Sequence, residues 1–235
     1  MRTSNILKLC LALAVVLASA SAFAAPPQSF RLEYSLKRDG QTIGRVTDTL
    51  VRDGARYRFE SEAKAEGLAA LFVKGPLRMS SEGEIGAGGL KPAKFERLRN
   101  GKTSSALFDW NNARVMTSDN GTSADEPLAP GTQDRLSAIY QFMFVPPKGA
   151  SIPVPMTNGK KPVDYVFERG KRERITTPAG NFNTVKLTRK RANADETDDG
   201  VELWLASTRN HLPVRIKLRE DGALYEQELL KADLR

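Results

Sequence analysis

Side chains able to do acid–base chemistry cluster in two polar segments of the 235-residue sequence. One segment holds Asp125-Glu126, and the other holds Asp195-Glu196 followed by Asp198-Asp199. Paired carboxylates hydrolyse glycosides when they lie in a cleft, with separated pKa values, beside aromatic side chains that stack on the sugar. No Trp-rich motif accompanies these acids, and polar loops of this kind are ordinarily solvated. We therefore predict no catalytic residue, and a hydrolase acting through these acids is the least favoured function.

Histidine and cysteine are too few for most metal or nucleophilic sites. The sequence contains one His, His211, and one Cys, Cys10, which excludes any site that needs two of either residue. The spacing of the acids does not match a calcium-binding EF-hand loop. Neither a Walker phosphate loop nor a dinucleotide-binding glycine motif is present. We therefore predict no metal and no cofactor.

The first residues have the three-part layout of a secretory signal peptide. Arg2 and Lys8 give a positive start, an apolar run follows, and Ala22-Phe23-Ala24 is a signal-peptidase pattern. The alternative is a membrane anchor, but the apolar stretch of about 17 residues is marginal for spanning roughly 30 Å of hydrocarbon. We predict cleavage of residues 1–24, leaving one β-rich domain at 25–235 with no cysteine and no transmembrane span. This pattern indicates a bacterial periplasmic protein.

The net charge raises the question of a partner. The chain carries 36 basic and 28 acidic residues, a formal charge of +8, and no aromatic–basic signature of nucleic-acid binding. Two groups of basic residues leave two interpretations open. One group is Lys186 with residues 189–191, and the other is Arg215 with Lys217 and Arg219. They form either a positive stripe facing anionic lipid or the solvated outer face of ordinary strands.

Turn signals and alternating segments predict the fold. Asp-Gly or Asn-Gly pairs, which suit tight hairpins, begin at Asp39, Asp53, Asn100, Asn120, Asn158, Asp199 and Asp221. Between them, hydrophobic and polar residues alternate with a period of two, as in half-buried strands. About a dozen such strands curl to remove exposed edges. We predict a mainly β fold, an antiparallel curved sheet forming a barrel or half-barrel.

Two segments have helical rather than strand periodicity. Residues 132–145 place an apolar stripe at helical spacing and end at Pro146-Pro147, which predicts one main amphipathic helix. Residues 66–73 end at Gly75-Pro76 and predict a second, short helix.

A curved sheet crossed by a helix encloses an apolar space, which is either packed core or a ligand cavity. We predict that a lipid or a lipidated protein is the partner. The residues predicted to line the cavity are Leu68, Leu71, Phe72, Trp110, Leu136, Ile139, Tyr140, Met143, Phe144 and Trp204. The alternative is a structural or protein-docking module whose core these side chains fill.

Eight segments occur in an order that resembles a known family. They are EGLAAL at 66–71, SEG at 81–83, GLKP at 89–92, FDW at 108–110, QDRLS at 133–137, TPAGNFNT at 177–184, LWL at 203–205 and LPVRI at 212–216. Together they resemble the exported proteobacterial family catalogued as Domain of Unknown Function 3108, over nearly all of the mature chain. The resemblance implies a periplasmic β-rich protein and supplies no catalytic residue. At the level of the fold, the chain is also similar to periplasmic lipoprotein carriers, which use a half-open β-barrel closed by helices.

Overall fold

The computed structural model describes residues 26–71, 75–191, 200–220 and 222–235. The predicted leader, Phe72 and the acids between 195 and 199 lie outside these residues. The described part contains sixteen β-strands and one α-helix, and its large sheet is antiparallel throughout. The predicted mainly β, antiparallel class is therefore confirmed.

Two groups of strands flank a central segment. The first group is β1 (Ser29–Arg38), β2 (Gln41–Asp53), β3 (Arg56–Ala65), β4 (Leu77–Gly86), β5 (Gly89–Arg99), β6 (Lys102–Asp109), β7 (Arg114–Asp119) and β8 (Thr122–Pro127). The central segment holds β9 (Gln133–Asp134), helix α1 (Ser137–Phe144), β10 (Ser151–Pro153) and β11 (Met156–Thr157). The second group is β12 (Tyr165–Thr177), β13 (Gly180–Arg191), β14 (Val201–Ala206), β15 (Leu212–Glu220) and β16 (Ala223–Leu234).

The two groups form one sheet because the first and last strands pair with each other. The order is β10-β12-β13-β14-β15-β16-β1-β2-β3-β4-β5-β6-β7-β8, and Phe30 of β1 lies opposite Leu234 of β16. Within the described residues, β8 and β10 each pair with one neighbour only. The sheet is therefore open, and a closed barrel, one of the two predicted forms, is not what the chain adopts.

Most of the predicted turn pairs join neighbouring strands as expected. The pairs that begin at Asp39, Asn100 and Asn120 have positive φ at both residues, the conformation that tight hairpins require. Inward positions alternate along each strand, so that Phe30, Leu32 and Tyr34 are all buried. This alternation places one continuous apolar face on the concave side of the sheet.

The curled sheet surrounds α1 on two sides. Tyr140 and Met143, with Leu136 just before the helix, belong to the larger core cluster, whose strand members come from β1–β3, β5–β7, β12 and β14–β16. Ala138 and Phe142 belong to a second cluster with residues of β12–β15. None of the eight helix residues is exposed, so α1 is an interior element rather than an amphipathic helix with a wet face. It is also shorter than the predicted span of 132–145, because Gln133 and Asp134 form β9, which pairs with β11.

The predicted second helix is wrong. Residues 66–73 contribute a five-residue 3₁₀ helix, Gly67–Leu71, that buries none of its side chains. Gly67 has a φ of +60°, and Leu68 and Leu71 are 79% and 77% exposed. Too short to nucleate an α-helix by itself, this segment packs no apolar stripe against the sheet.

Two buried carboxylates hold α1 in place. Asp48, an inward residue of β2, accepts a hydrogen bond from the Tyr140 hydroxyl. Asp134 caps the helix, because its Oδ1 accepts the backbone N–H groups of Leu136 and Ser137, both at 2.8 Å. Burial raises the pKa of each carboxyl to about 6, although their hydrogen bonds act in the opposite direction.

The turn after β11 packs closely on β6. A Cβ at Gly159 would lie 2.7 Å from Ser104 Cβ and 2.8 Å from the Ser105 backbone nitrogen, and the φ of Gly159 is +91°. Only glycine fits such an approach without displacing a neighbouring strand. This contact fixes where the central segment meets the first group of strands.

We predict that Asp48→Asn changes how stability depends on pH. A carboxyl whose pKa rises on folding binds a proton more tightly in the folded state, so its contribution to stability is lost as pH rises from about 4 to about 6. Relative to the wild type, the variant should gain about 2 kcal/mol of unfolding free energy between pH 4.5 and pH 7. Denaturant titrations at the two pH values measure this difference. Asp53→Asn, an exposed position on the same strand, is the control, and an Asp48→Asn difference that does not vary with pH would contradict the assignment.

Gly159→Ala should destabilise the fold by more than Gly121→Ala. Both glycines have strongly positive φ, but a Cβ at Gly121 has open space around it. Gly121→Ala therefore measures backbone strain alone, about 1 kcal/mol or slightly more. Gly159→Ala should add roughly 1–3 kcal/mol for overlap with β6. Equal losses in chemical unfolding would show that the close approach at Gly159 is absent.

Candidate functional site

A cavity of about 680 Å³ lies beside α1, between the two groups of strands. One wall comes from β5–β7, the opposite wall from β12–β15, and Ala138 and Ile139 of α1 form the border between them. The turn at 158–161 closes part of the rim. The volume is in the range of small-molecule sites.

Most of the cavity wall on the β12–β15 side is apolar. Val201 and Leu218 lie opposite each other on β14 and β15. Arg189 lies over the Tyr165 ring at 4.2 Å from its centroid, so this aromatic side chain meets a cation at the wall. The apolar lining residues are Ala138, Ile139, Met156, Val163, Tyr165, Phe167, Val201, Leu203, Ile216 and Leu218.

Among the described residues that line the cavity, cations outnumber carboxylates by eight to two. The basic lining residues are Arg97, Arg99, Lys102, Arg135, Lys160, Lys161, Arg189 and Arg219, and the acidic ones are Asp119 and Glu220. An excess of cations among these described residues favours an anionic ligand group beside them.

Three arginines converge on Glu220. Its Oε1 accepts hydrogen bonds from Arg97 and Arg99, each at 3.1 Å, and its Oε2 accepts one from Arg135 at 2.7 Å. Burial acts to raise the pKa of Glu220, but the charges of Arg135, Arg97 and Arg99 and the Arg135 hydrogen bond outweigh it, so the pKa lies below its usual value. These contacts also show how far the sheet curls, because β16 and β1–β4 separate β15 from β5 in the strand order.

The other carboxylate among the described lining residues, Asp119, also forms a hydrogen bond and an ion pair. Asp119 accepts a hydrogen bond from Ser104 at 2.8 Å and lies 3.3 Å from Lys160 Nζ. The Ser104 hydrogen bond and the Lys160 contact lower the pKa of Asp119. Both cavity carboxylates are therefore held as anions, and neither has the raised pKa that a general acid near neutral pH requires.

The structure places the helical residues of the predicted lining mainly in the packed core. Leu136, Tyr140 and Met143 are at most 1% exposed and belong to the larger core cluster. Phe144 is half-buried at the end of α1, with its ring near Arg52 and Phe59. Ile139 is the one predicted residue, among the nine described, that lines the cavity.

The remaining predicted residues lie elsewhere. Leu68 and Leu71 project from the exposed 3₁₀ helix, and Phe72 is outside the described residues. Trp110 stacks on Phe108 and donates to the Pro92 carbonyl at 2.6 Å. Trp204 is buried and donates to Glu173 at 2.7 Å.

The basic stretches noted in the sequence lie largely in cross-strand ion pairs. Arg215 contacts Glu228 at 2.6 Å, Lys217 contacts Glu226 at 3.4 Å, and Lys186 pairs with Glu202. Lys186, Arg215 and Lys217 also surround the Trp204 ring at 4.8–5.7 Å from its centroid. At Lys186, Arg215 and Lys217, these contacts favour the second interpretation, that the basic residues form the charged face of ordinary strands.

Sequence reasoning missed the arginine cluster around Glu220. Arg135 lies in the QDRLS segment, and Arg97 and Arg99 are two residues apart on β5, where strand alternation puts them on one face. Only the curl of the sheet brings Glu220 to them. In the described ranges, no group of three or more His, Cys, Asp or Glu side chains could hold a metal ion, and no helix is long and apolar enough to cross a membrane.

A solved protein structure resembles the fold. A beta-barrel-like protein of the domain of unknown function DUF1849 from Brucella abortus superposes with a TM-score of 0.56 at 12% identity, covering 90% of this chain and 100% of that chain. A protein with a YmcC-like fold from Bacteroides fragilis covers 89% and 97%, also at 12% identity, but its TM-score of 0.33 is too low to support a shared fold. The first likeness supports a barrel-like β architecture.

Comparison with curated protein sequences gives no match. The family described as "Protein of unknown function (DUF3108)" matches residues 29–223, which is most of the chain. This match confirms the resemblance carried by the eight sequence segments, and the chain belongs to the DUF3108 family.

Proposed function

We propose that the chain is a periplasmic, non-enzymatic protein of the cell envelope that binds an apolar or lipidic ligand in the cavity between its two groups of strands. The observation that carries the proposal is the cavity itself, about 680 Å³ with ten apolar lining residues. The apolar part of this lining favours a ligand that removes it from water. The curved, open sheet around a helix is also the arrangement of the periplasmic lipoprotein carriers, by analogy of fold alone.

Binding is favoured over hydrolysis by the state of the carboxylates. Asp119 and Glu220 are tied to cations at the cavity. The two carboxyls with raised pKa, Asp48 and Asp134, are at most 3% exposed and bond to the helix and its surroundings. No substrate reaches them without opening the core.

The second candidate is a protein-docking module. Leu107 and Met116 are directly opposite each other on β6 and β7 and are 52% and 46% exposed. An apolar cross-strand pair of this exposure, on strands close to an open sheet edge, would suit a protein partner. In this case the function lies on the outer surface, and the cavity stays empty.

Export rests on the leader, and Ala24→Leu tests it. A bulky residue at the cleavage position should block signal peptidase, which requires small side chains there. The wild-type periplasmic protein should have the intact mass of residues 25–235, whereas the variant should keep the leader and stay with the membrane. Recovery of full-length wild-type protein from the cytoplasm would refute export.

Leu218→Trp tests whether the cavity is the binding site. Leu218 is half-buried at the cavity wall, so a tryptophan there should occupy part of the space and weaken binding of dodecanol or dodecanoate at least tenfold by calorimetry. Leu107→Trp makes the same change on the outer face, where binding should not change. Thermal unfolding of both variants checks that they fold.

Equal binding by the wild type and Leu218→Trp would place the ligand elsewhere. Absence of binding of either probe to the folded wild type would overturn the proposed function and favour the docking module.

A further inference from the structure

The cavity contains a charge arrangement that a purely apolar ligand does not explain. Arg97, Arg99 and Arg135 surround Glu220, so three positive charges face one carboxylate. Three of the four side chains are largely withdrawn from water, with 14% of Arg97, 22% of Arg135 and 18% of Glu220 exposed, whereas Arg99 is 37% exposed. Charges taken out of water are costly unless they are paired and hydrogen-bonded.

The cluster has unused capacity for an anion. A guanidinium has five N–H donors in a planar fork that matches carboxylate and phosphate oxygens. Among the described atoms, the buried Nε of Arg97 has no hydrogen-bond partner. Burial, followed by the charge of Arg135, lowers the pKa of Arg97, whereas the charge of Glu220 acts in the opposite direction. An anionic ligand group at this position would supply the negative charge that Glu220 supplies in the structure.

The apolar wall and the cluster are parts of one surface. Ile216, Leu218 and Glu220 alternate along β15 and all line the cavity. Because residues two apart on a strand share a face, the same strand leads from the apolar wall to the arginines. A molecule with an apolar chain and an anionic head can contact both at once.

We propose that the ligand is an amphiphile with a carboxylate or phosphate head group, which binds Arg97, Arg99 and Arg135 in place of the Glu220 carboxylate. Glu220 is then the internal counter-ion that holds the arginines together while the cavity is empty. This inference rests on the proposed function, because it names the chemical class of ligand for the same cavity.

Calorimetry with matched ligands tests the head group. Dodecanoate and dodecyl phosphate should bind the wild type at least tenfold more tightly than dodecanol, since hydrogen bonds to charged groups are each worth about 1.5–3 kcal/mol. Added salt should weaken dodecanoate binding and leave dodecanol binding unchanged. This comparison needs no variant, so it holds even where a substitution perturbs folding.

Variants test whether the head group binds to the three arginines around Glu220. Glu220→Gln removes the competing carboxylate and should raise the affinity for dodecanoate about tenfold, with no change for dodecanol. Arg99→Gln, at the most exposed of the three arginines, should lower the affinity for dodecanoate about tenfold. Arg78→Gln is the control, because Arg78, on the outer face of β4, is also an arginine paired with a glutamate.

The outcomes separate the inference from the function on which it rests. Equal affinities for dodecanol and dodecanoate, unchanged by Glu220→Gln, would overturn the anionic head group while leaving an apolar ligand in place. Inorganic phosphate binding as tightly as dodecyl phosphate would overturn the amphiphile and indicate a free anion. Failure of every probe to bind the folded wild type would overturn the proposed function itself.

Discussion

The structure depends on one short helix that a wide open sheet encloses. A sheet of fourteen strands must bury its concave face, and α1 covers part of that face, because Tyr140 and Met143 pack in the larger core cluster and Ala138 and Phe142 pack with residues of β12–β15. The helix is fixed at its start by the Asp134 cap and along its length by the hydrogen bond from Tyr140 to Asp48. Burying two carboxyls is unfavourable near neutral pH, and the chain tolerates this cost because both are hydrogen-bonded to the element that they position.

The cavity follows from the shortness of that helix. Eight residues fill only part of the concave space, and Ala138 and Ile139 mark where the filling ends. The walls beyond them differ in character, since β12–β15 contribute most of the apolar side chains together with Arg189 and Arg219, while β5 and the segment before α1 contribute the three arginines that contact Glu220. Glu220 joins the two walls, so it acts both as a tie across the sheet and as the occupant of an anion-binding position.

Local patterns in the sequence predicted the strands, most of the turns and the family, because period-two alternation and positive-φ turn residues are local signals. The burial of Asp48 also follows from a local pattern, since it lies between Val46 and Leu50 on the buried face of β2. The lining of the cavity could not be predicted from the sequence, because it comes from strands that only the curl of the sheet brings together. The predicted lining included Leu136, Tyr140 and Met143 because an apolar stripe looks alike in a filled core and at a cavity wall.

Mass spectrometry of the protein's native contents tests the central claim most directly. Protein is purified from the periplasm without detergent and extracted with organic solvent, beside a delipidated and refolded sample. The account predicts a stoichiometric amphiphile with a carboxylate or phosphate head group in the native extract alone. A clean extract from well-folded native protein would contradict it and would turn attention to the exposed face of β6 and β7.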